Sequence, residues 1–220
     1  MKKIILGLSI TAASLLASEN FVEDSFVKYG ASGLKVGTLG VGFEYTVKYN
    51  EKFDLRFGVN HYSYGDSGTE SDIDYDIDLK LQTVAAIADY HVFNNGFILS
   101  AGLMLNNNEL NFDAKSSATY TIDDTVYTSA QVGTLKGDVD FNNIAPYVGI
   151  GYSNVTKEAG WSFSTELGAL YQGKPKVNLS TTSVNAAVIA SVENEEKELQ
   201  NELDGYKWYP VVSVAVSYKF

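Results

Sequence analysis

Val211-Val-Ser-Val-Ala-Val-Ser-Tyr-Lys-Phe220 alternates along its whole length. Val212, Val214, Val216, Tyr218 and Phe220 share one face, and Ser213, Ala215, Ser217 and Lys219 share the other. A two-residue period is the mark of a β-strand with one apolar side. The same period recurs upstream. In Gly40–Tyr49, Val41, Phe43, Tyr45, Val47 and Tyr49 oppose Glu44, Thr46 and Lys48. Phe53–Tyr64 sets Phe53, Leu55, Phe57 and Val59 against Asp54, Arg56 and Asn60. Further alternating segments are Asp72–Thr83, Phe97–Asn106, Asn143–Tyr152 and Trp161–Gln172. The fold is therefore all-β.

Alternation alone does not separate a soluble sheet, whose apolar faces meet in a core, from a membrane barrel, whose apolar faces meet lipid. The two ends point to the barrel. Lys2 and Lys3 precede the apolar run Ile4–Leu16, followed by Ala17, Ser18 and the polar pair Glu19-Asn20. That order reads as a secretory signal peptide over residues 1–18, cleaved after Ala17 or Ser18. The run is shorter than the ~20 residues of a spanning helix. At the other end, a terminal Phe220 with Tyr218 and Val216 on its face resembles the signal by which the outer-membrane assembly machinery recognises a last strand. Composition agrees: 15 Tyr, 11 Phe and 19 Gly suit a barrel with aromatic girdles.

Without Lys2 and Lys3, 14 basic residues face 27 acidic ones, a net charge of −13. No basic patch is available for nucleic acid. The absence of Cys excludes disulfides, thiolate chemistry and Cys-ligated metals.

Connection lengths supply the strand count. Short connections follow Tyr49, His91 and Tyr152, whereas long ones follow Tyr64, Phe112 and Gln172. Barrels of this kind have short periplasmic turns and long outer loops, so the last strand runs downward out of the 173–208 loop. Counting back requires an upward strand before Gly40. Phe26–Gly37 fits, with Gly37-Thr38-Leu39-Gly40 as a tight outer turn. The expected fold is an eight-stranded antiparallel up-and-down transmembrane β-barrel over residues 19–220. Residues 184–202 in the last outer loop, free of Gly and Pro, read as an amphipathic helix. That helix is either a surface cap or a lid at the mouth.

The charged residues on the inward faces are Glu44, Lys48, Arg56, Lys80 and Glu166. An eight-stranded lumen is barely wide enough for side chains, so these charges are expected to pair as a plug or gate. Asp89 is the odd case, with a parity that points toward lipid; a bulge or an interfacial position near the periplasmic turn would account for it. Asp72, Asp74, Asp76 and Asp78 share one face of an extended strand and are expected at the outer mouth, where they would concentrate cations. They do not form an EF-hand loop, because Ile77 replaces its Gly and Thr83 its Glu. Divalent ions linking these acids to lipopolysaccharide remain open. His61-Tyr62-Ser63 has the His-x-Ser spacing of a lipid A deacylase, but Tyr64 stands where that motif carries Asn. The only other His is His91, so no catalytic or metal centre and no cofactor is expected.

Three stretches resemble the small proteobacterial barrels of the CarO-like, ornithine-uptake type. They are Gly37-Thr-Leu-Gly-Val-Gly-Phe-Glu44, Ala145-Pro-Tyr-Val-Gly-Ile-Gly-Tyr152 and Gly173-Lys-Pro-Lys-Val-Asn-Leu179. The acidic helix leading into Tyr206-Lys-Trp-Tyr-Pro-Val-Val212 adds to the resemblance. It implies a monomeric eight-stranded barrel of the Gram-negative outer membrane, a narrow porin for small cationic solutes such as basic amino acids. The alternatives are a non-conducting barrel acting through its loops and, more remotely, a lipid A-modifying enzyme.

Overall fold

The computed structural model describes residues 30–70, 73–93, 95–115, 119–155 and 158–219. Within them each alternating segment is a strand: β1 (Gly30–Gly37), β2 (Gly40–Lys48), β3 (Phe53–Glu70), β4 (Ile73–His91), β5 (Phe97–Asn106), β10 (Ile144–Ser153), β11 (Gly160–Tyr171) and β13 (Trp208–Lys219). Antiparallel pairings run β1–β2–β3–β4–β5–β10–β11–β13 and return from β13 to β1. This is the expected eight-stranded antiparallel barrel. The signal segment 1–18, Asp72 and Phe220 lie outside the described residues. The first outer turn is a two-residue hairpin in which Gly37 pairs with Gly40. Gly40 has φ +94°, a conformation that disfavours a side chain.

Two aromatic pairs measure the membrane. Trp161 and Tyr218 face each other across β11 and β13, with ring centroids 5.3 Å apart, and so do Tyr171 and Trp208 at 4.8 Å. Ten strand residues separate the two pairs, or about 34 Å of strand. At a tilt of about 40–45° this spans roughly 25 Å, the height of the apolar band between two girdles. Phe163, Leu167, Val212, Val214 and Val216 lie between them with their side chains exposed on the outer surface.

Above the band, β3 and β4 continue outward as one long hairpin instead of breaking into a loop at Tyr64. The described residues of 107–143, together with 173–207, add a second layer there. The added elements are β6 (Glu109–Lys115), β7 (Thr119–Ile122), β8 (Thr125–Thr128), α1 (Ser129–Val132), β9 (Leu135–Asp140), β12 (Lys176–Thr181) and α2 (Ala186–Leu203). Strands β6, β9 and β12 extend the sheet from the outer half of β4.

Helix α2 starts at Asn185, whose side chain accepts a hydrogen bond from the Ala187 amide at 3.0 Å. It packs Val188 and Val192 against Tyr120, Ile122, Tyr127 and Val132 in a small core of its own. Its largest contacts are with β12 and β7 of this outer layer.

The helix also closes a sheet edge. Glu196 accepts from the Leu179 amide at 2.8 Å and Gln200 from the Val177 amide at 3.1 Å. Side chains four apart on a helix face one way, so the pair satisfies two successive outward amides of β12. Bare strand edges invite pairing between molecules. Replacing Glu196 and Gln200 together by Ala is expected to shift the refolded protein toward dimers and larger species. Light scattering at increasing protein concentration checks this, and a mass independent of concentration would count against edge protection.

Candidate functional site

Alternation fixes what the lumen contains. Even-numbered residues of β2, β3, β5 and β11 and odd-numbered residues of β1, β10 and β13 point inward. On the outer half of the lumen Leu39, Ala85, Ile87, Met104, Ala145, Tyr147, Leu170 and Val211 form one buried apolar cluster, beside the buried inward polar side chains of Asn60, Thr83 and Asn106. Tyr147 is 1% exposed. Its phenol lies against Gly149 and Gly168, which face each other across β10 and β11. A Cβ at either glycine would sit 2.4 or 2.2 Å from the Tyr147 hydroxyl oxygen. These inward glycines therefore make room for one large ring.

Around and below that layer lies a charge cluster centred on Arg56. Arg56 donates from Nε and Nη2 to Asp89 at 2.8 and 3.0 Å. It donates from Nη1 and Nη2 to Glu166 at 2.9 and 2.7 Å. Both contacts are the paired fork geometry that makes Arg–carboxylate bonds strong. Glu44 Oε2 is 3.6 Å from Arg56 Nη1 and 3.5 Å from Lys35 Nζ. Ser100 donates to Asp89 at 2.6 Å. All five charged groups are buried, and three carboxylates face two cations. A cavity of about 10 Å³ remains among Glu44, Arg56, Asp89 and Glu166, at the limit for a single water. Near the periplasmic end, His91 Nε2 lies 2.7 Å from Asp54 Oδ2.

The structure brings together Glu44, Arg56 and Glu166 from the expected network and adds Lys35 and Asp89. Lys48 has inward parity but lies at the periplasmic rim, 3.4 Å from Glu51 in the turn. Lys80 is not in the lumen: it pairs with Glu109 at 3.0 Å on the outer surface of the extension. Asp89 points inward without any bulge, because the β3–β4 register is unbroken from Phe53↔Tyr90 to Glu70↔Ile73.

The same register corrects the acidic mouth. Thr83, Ala85, Ile87 and Asp89 are buried and face the lumen, so Asp76 and Asp78 face away from it. Asp72 and the side chain of Asp74 lie outside the described residues. The physical reason is a change of solvent along one strand. Near the periplasm Val84, Ala86, Ala88 and Tyr90 turn their apolar side toward lipid. Beyond Gln82, Leu79 and Ile77 face the inner side of an aqueous two-layer sheet, and the polar row faces water.

Val216 and Tyr218 are on the lipid face of β13. His61 and Ser63 are exposed on the outer face of β3, and among the described residues no carboxylate lies within ion-pairing distance of His61.

A second polar feature lies above the outer girdle, where Lys174 at the start of the β12 segment donates to Asp204 at the end of α2. The Lys174 hydrogen bond holds the Asp204 carboxyl below its usual range. A carboxylate with a depressed folded pKa contributes stability above its unfolded pKa, and that contribution is lost as pH falls through the folded value. Acidification below about pH 4 is expected to release the C-terminal turn of α2. Hydrogen exchange of residues 198–204, corrected for intrinsic rate, should rise in the acid range for the wild type, and this pH dependence should vanish in Asp204→Asn.

The sequence matches no protein-family model and no curated protein sequence. Solved structures do resemble it. The crystal structure of Acinetobacter baumannii CarO2 aligns with a TM-score of 0.57 at 26% identity, over 87% of this chain and 97% of that one. CarO of the same organism aligns with a TM-score of 0.57 at 24% identity, over 90% of this chain and 100% of that one. Neisserial surface protein A is more distant, at 14% identity and a TM-score of 0.35 over 87% of this chain and 93% of that one.

Proposed function

We propose that this chain, an outer-membrane β-barrel protein of the CarO-like group, is a narrow porin-like channel for small cationic solutes such as basic amino acids. The observation that carries the reading is the set of three carboxylates, Glu44, Asp89 and Glu166, gathered around one guanidinium inside the lumen. Arg56 is a tethered cation on a flexible stem. A solute bearing an ammonium or guanidinium group offers those carboxylates the same charge and the same donors when Arg56 swings aside. An anion meets three carboxylates and gains nothing from the exchange. The lumen described above is the shut state, and transit requires Arg56 and the Tyr147 layer to move.

The same reading has the chain exported through the periplasm and inserted by the barrel assembly machinery, which would read Val216 and Tyr218 of β13 together with Phe220. The apolar layer around Tyr147 favours a second reading, a non-conducting barrel that acts through its outer sheet and helix. Planar-bilayer recording of the refolded protein separates them. Small cation-selective steps, with lysine entering liposomes faster than glutamate, are expected for a channel. No steps above baseline, in the wild type and after deletion of residues 184–202, would sink it.

A further inference from the structure

We propose that the cleft between β12, the end of α2 and the start of β13 binds the phosphate groups of outer-leaflet lipid. The cleft has a volume of about 610 Å³ and is lined by Lys174, Lys176, Lys207, Asp204, Gln200 and Tyr171, among others. Three of the chain's 16 basic residues converge here in a protein of net charge −11. One of them, Lys174, is committed to Asp204. Lys176 stands opposite Asp140 across the β12–β9 ladder, and Lys207 lies near Asp204, but among the described residues neither makes an ion pair within 4.0 Å, so both ammonium groups are open to a second anion.

The level of the cleft identifies its occupant. Tyr171 lines it and belongs to the outer aromatic pair with Trp208. Lys207 immediately precedes Trp208, and Lys174 follows Tyr171 by three residues. The lysines thus stand just above the outer girdle, where the apolar band ends and the headgroups of the outer leaflet begin. Lysines at that height attract anionic headgroups. The Lys174–Asp204 bridge ties the two sides of the cleft and keeps its walls in place. The inference depends on which end of the barrel faces outward and not on whether the lumen conducts.

The test uses the full mature chain in neutral detergent micelles, titrated with bisphosphorylated lipid A and read by native mass spectrometry. Each lysine beside an anionic headgroup is worth roughly five-fold in affinity. The double variant Lys176→Gln/Lys207→Gln, which leaves the Lys174–Asp204 bridge intact, is therefore expected to bind about 25-fold more weakly than the wild type. Lys136→Gln, on the outer sheet, should bind as the wild type does. Fully dephosphorylated lipid A should bind the wild type no better than the double variant. Unheated gel mobility reports whether each variant is folded, and if the double variant does not fold, Lys207→Gln alone with an expected five-fold loss replaces it. Equal affinity of wild type and variant, or retention of lipid A regardless of its phosphates, overturns the proposal.

Discussion

Replacing Arg56 by Met is expected to destabilise the folded barrel by about 3–5 kcal/mol. The guanidinium makes four short hydrogen bonds to two carboxylates whose side chains are only 4% and 5% exposed. Removing it leaves Asp89 and Glu166 charged, buried and close together, and most of the cost is that stranded charge rather than the lost bonds themselves. Against a typical total of about 5–15 kcal/mol, the effect is large. Arg56→Lys should fall between the two, because an ammonium restores the charge but cannot bridge both carboxylates with paired forks. Adding Asp89→Asn and Glu166→Gln to Arg56→Met should recover much of the loss. Urea unfolding followed by the fluorescence of Trp161 and Trp208 checks the series. An unchanged midpoint for Arg56→Met would mean that water already reaches these carboxylates and screens them.

This cluster also shows where sequence reading succeeds and where it stops. Glu44, Arg56 and Glu166 are legible because they sit on strands whose apolar partners all face one solvent, lipid. Parity then assigns the lumen side directly. Lys35 is equally legible, since Leu34 and Val36 alternate with it on β1.

Asp89, Lys80 and the aspartate row fail for one shared reason. On β4 the apolar face is odd-numbered from Ile77 to Leu81 and even-numbered from Val84 to Tyr90. Strand geometry does not change there; the surroundings do. Reading the apolar face as lipid-facing throughout inverts every assignment on the outer half and makes Asp89 look misplaced. The slip in phase at Gln82-Thr83 is therefore a sequence mark of the membrane boundary. The apolar upper lumen is illegible for a related reason. Ala85, Ile87, Met104 and Leu170 oppose other apolar residues on their strands, so alternation in hydrophobicity is weak there and only register assigns the face.

Tyr147→Ala is the substitution expected to act on both stability and passage. The ring is nearly inaccessible and contributes to the cluster with Met104, Leu170 and Ile87. Truncating a buried aromatic leaves a void and costs about 3–5 kcal/mol. Relaxation into it is limited on one side, because Gly149 and Gly168, which flank the ring, carry no side chains to move in and their backbones are fixed by the β10–β11 ladder. The void should therefore persist and admit water. Two layers close the lumen, the Tyr147 layer and the Arg56 cluster. If both gate conduction, Tyr147→Ala alone gives a modest rise in open probability, and Tyr147→Ala with Arg56→Lys gives a larger one than either. Planar-bilayer recording of the three variants, on protein shown folded by unheated gel mobility, measures this. Were Tyr147→Ala as stable as the wild type, the ring would not be packed as described. A stable double variant that still conducts nothing would leave the non-conducting barrel as the better account of the lumen.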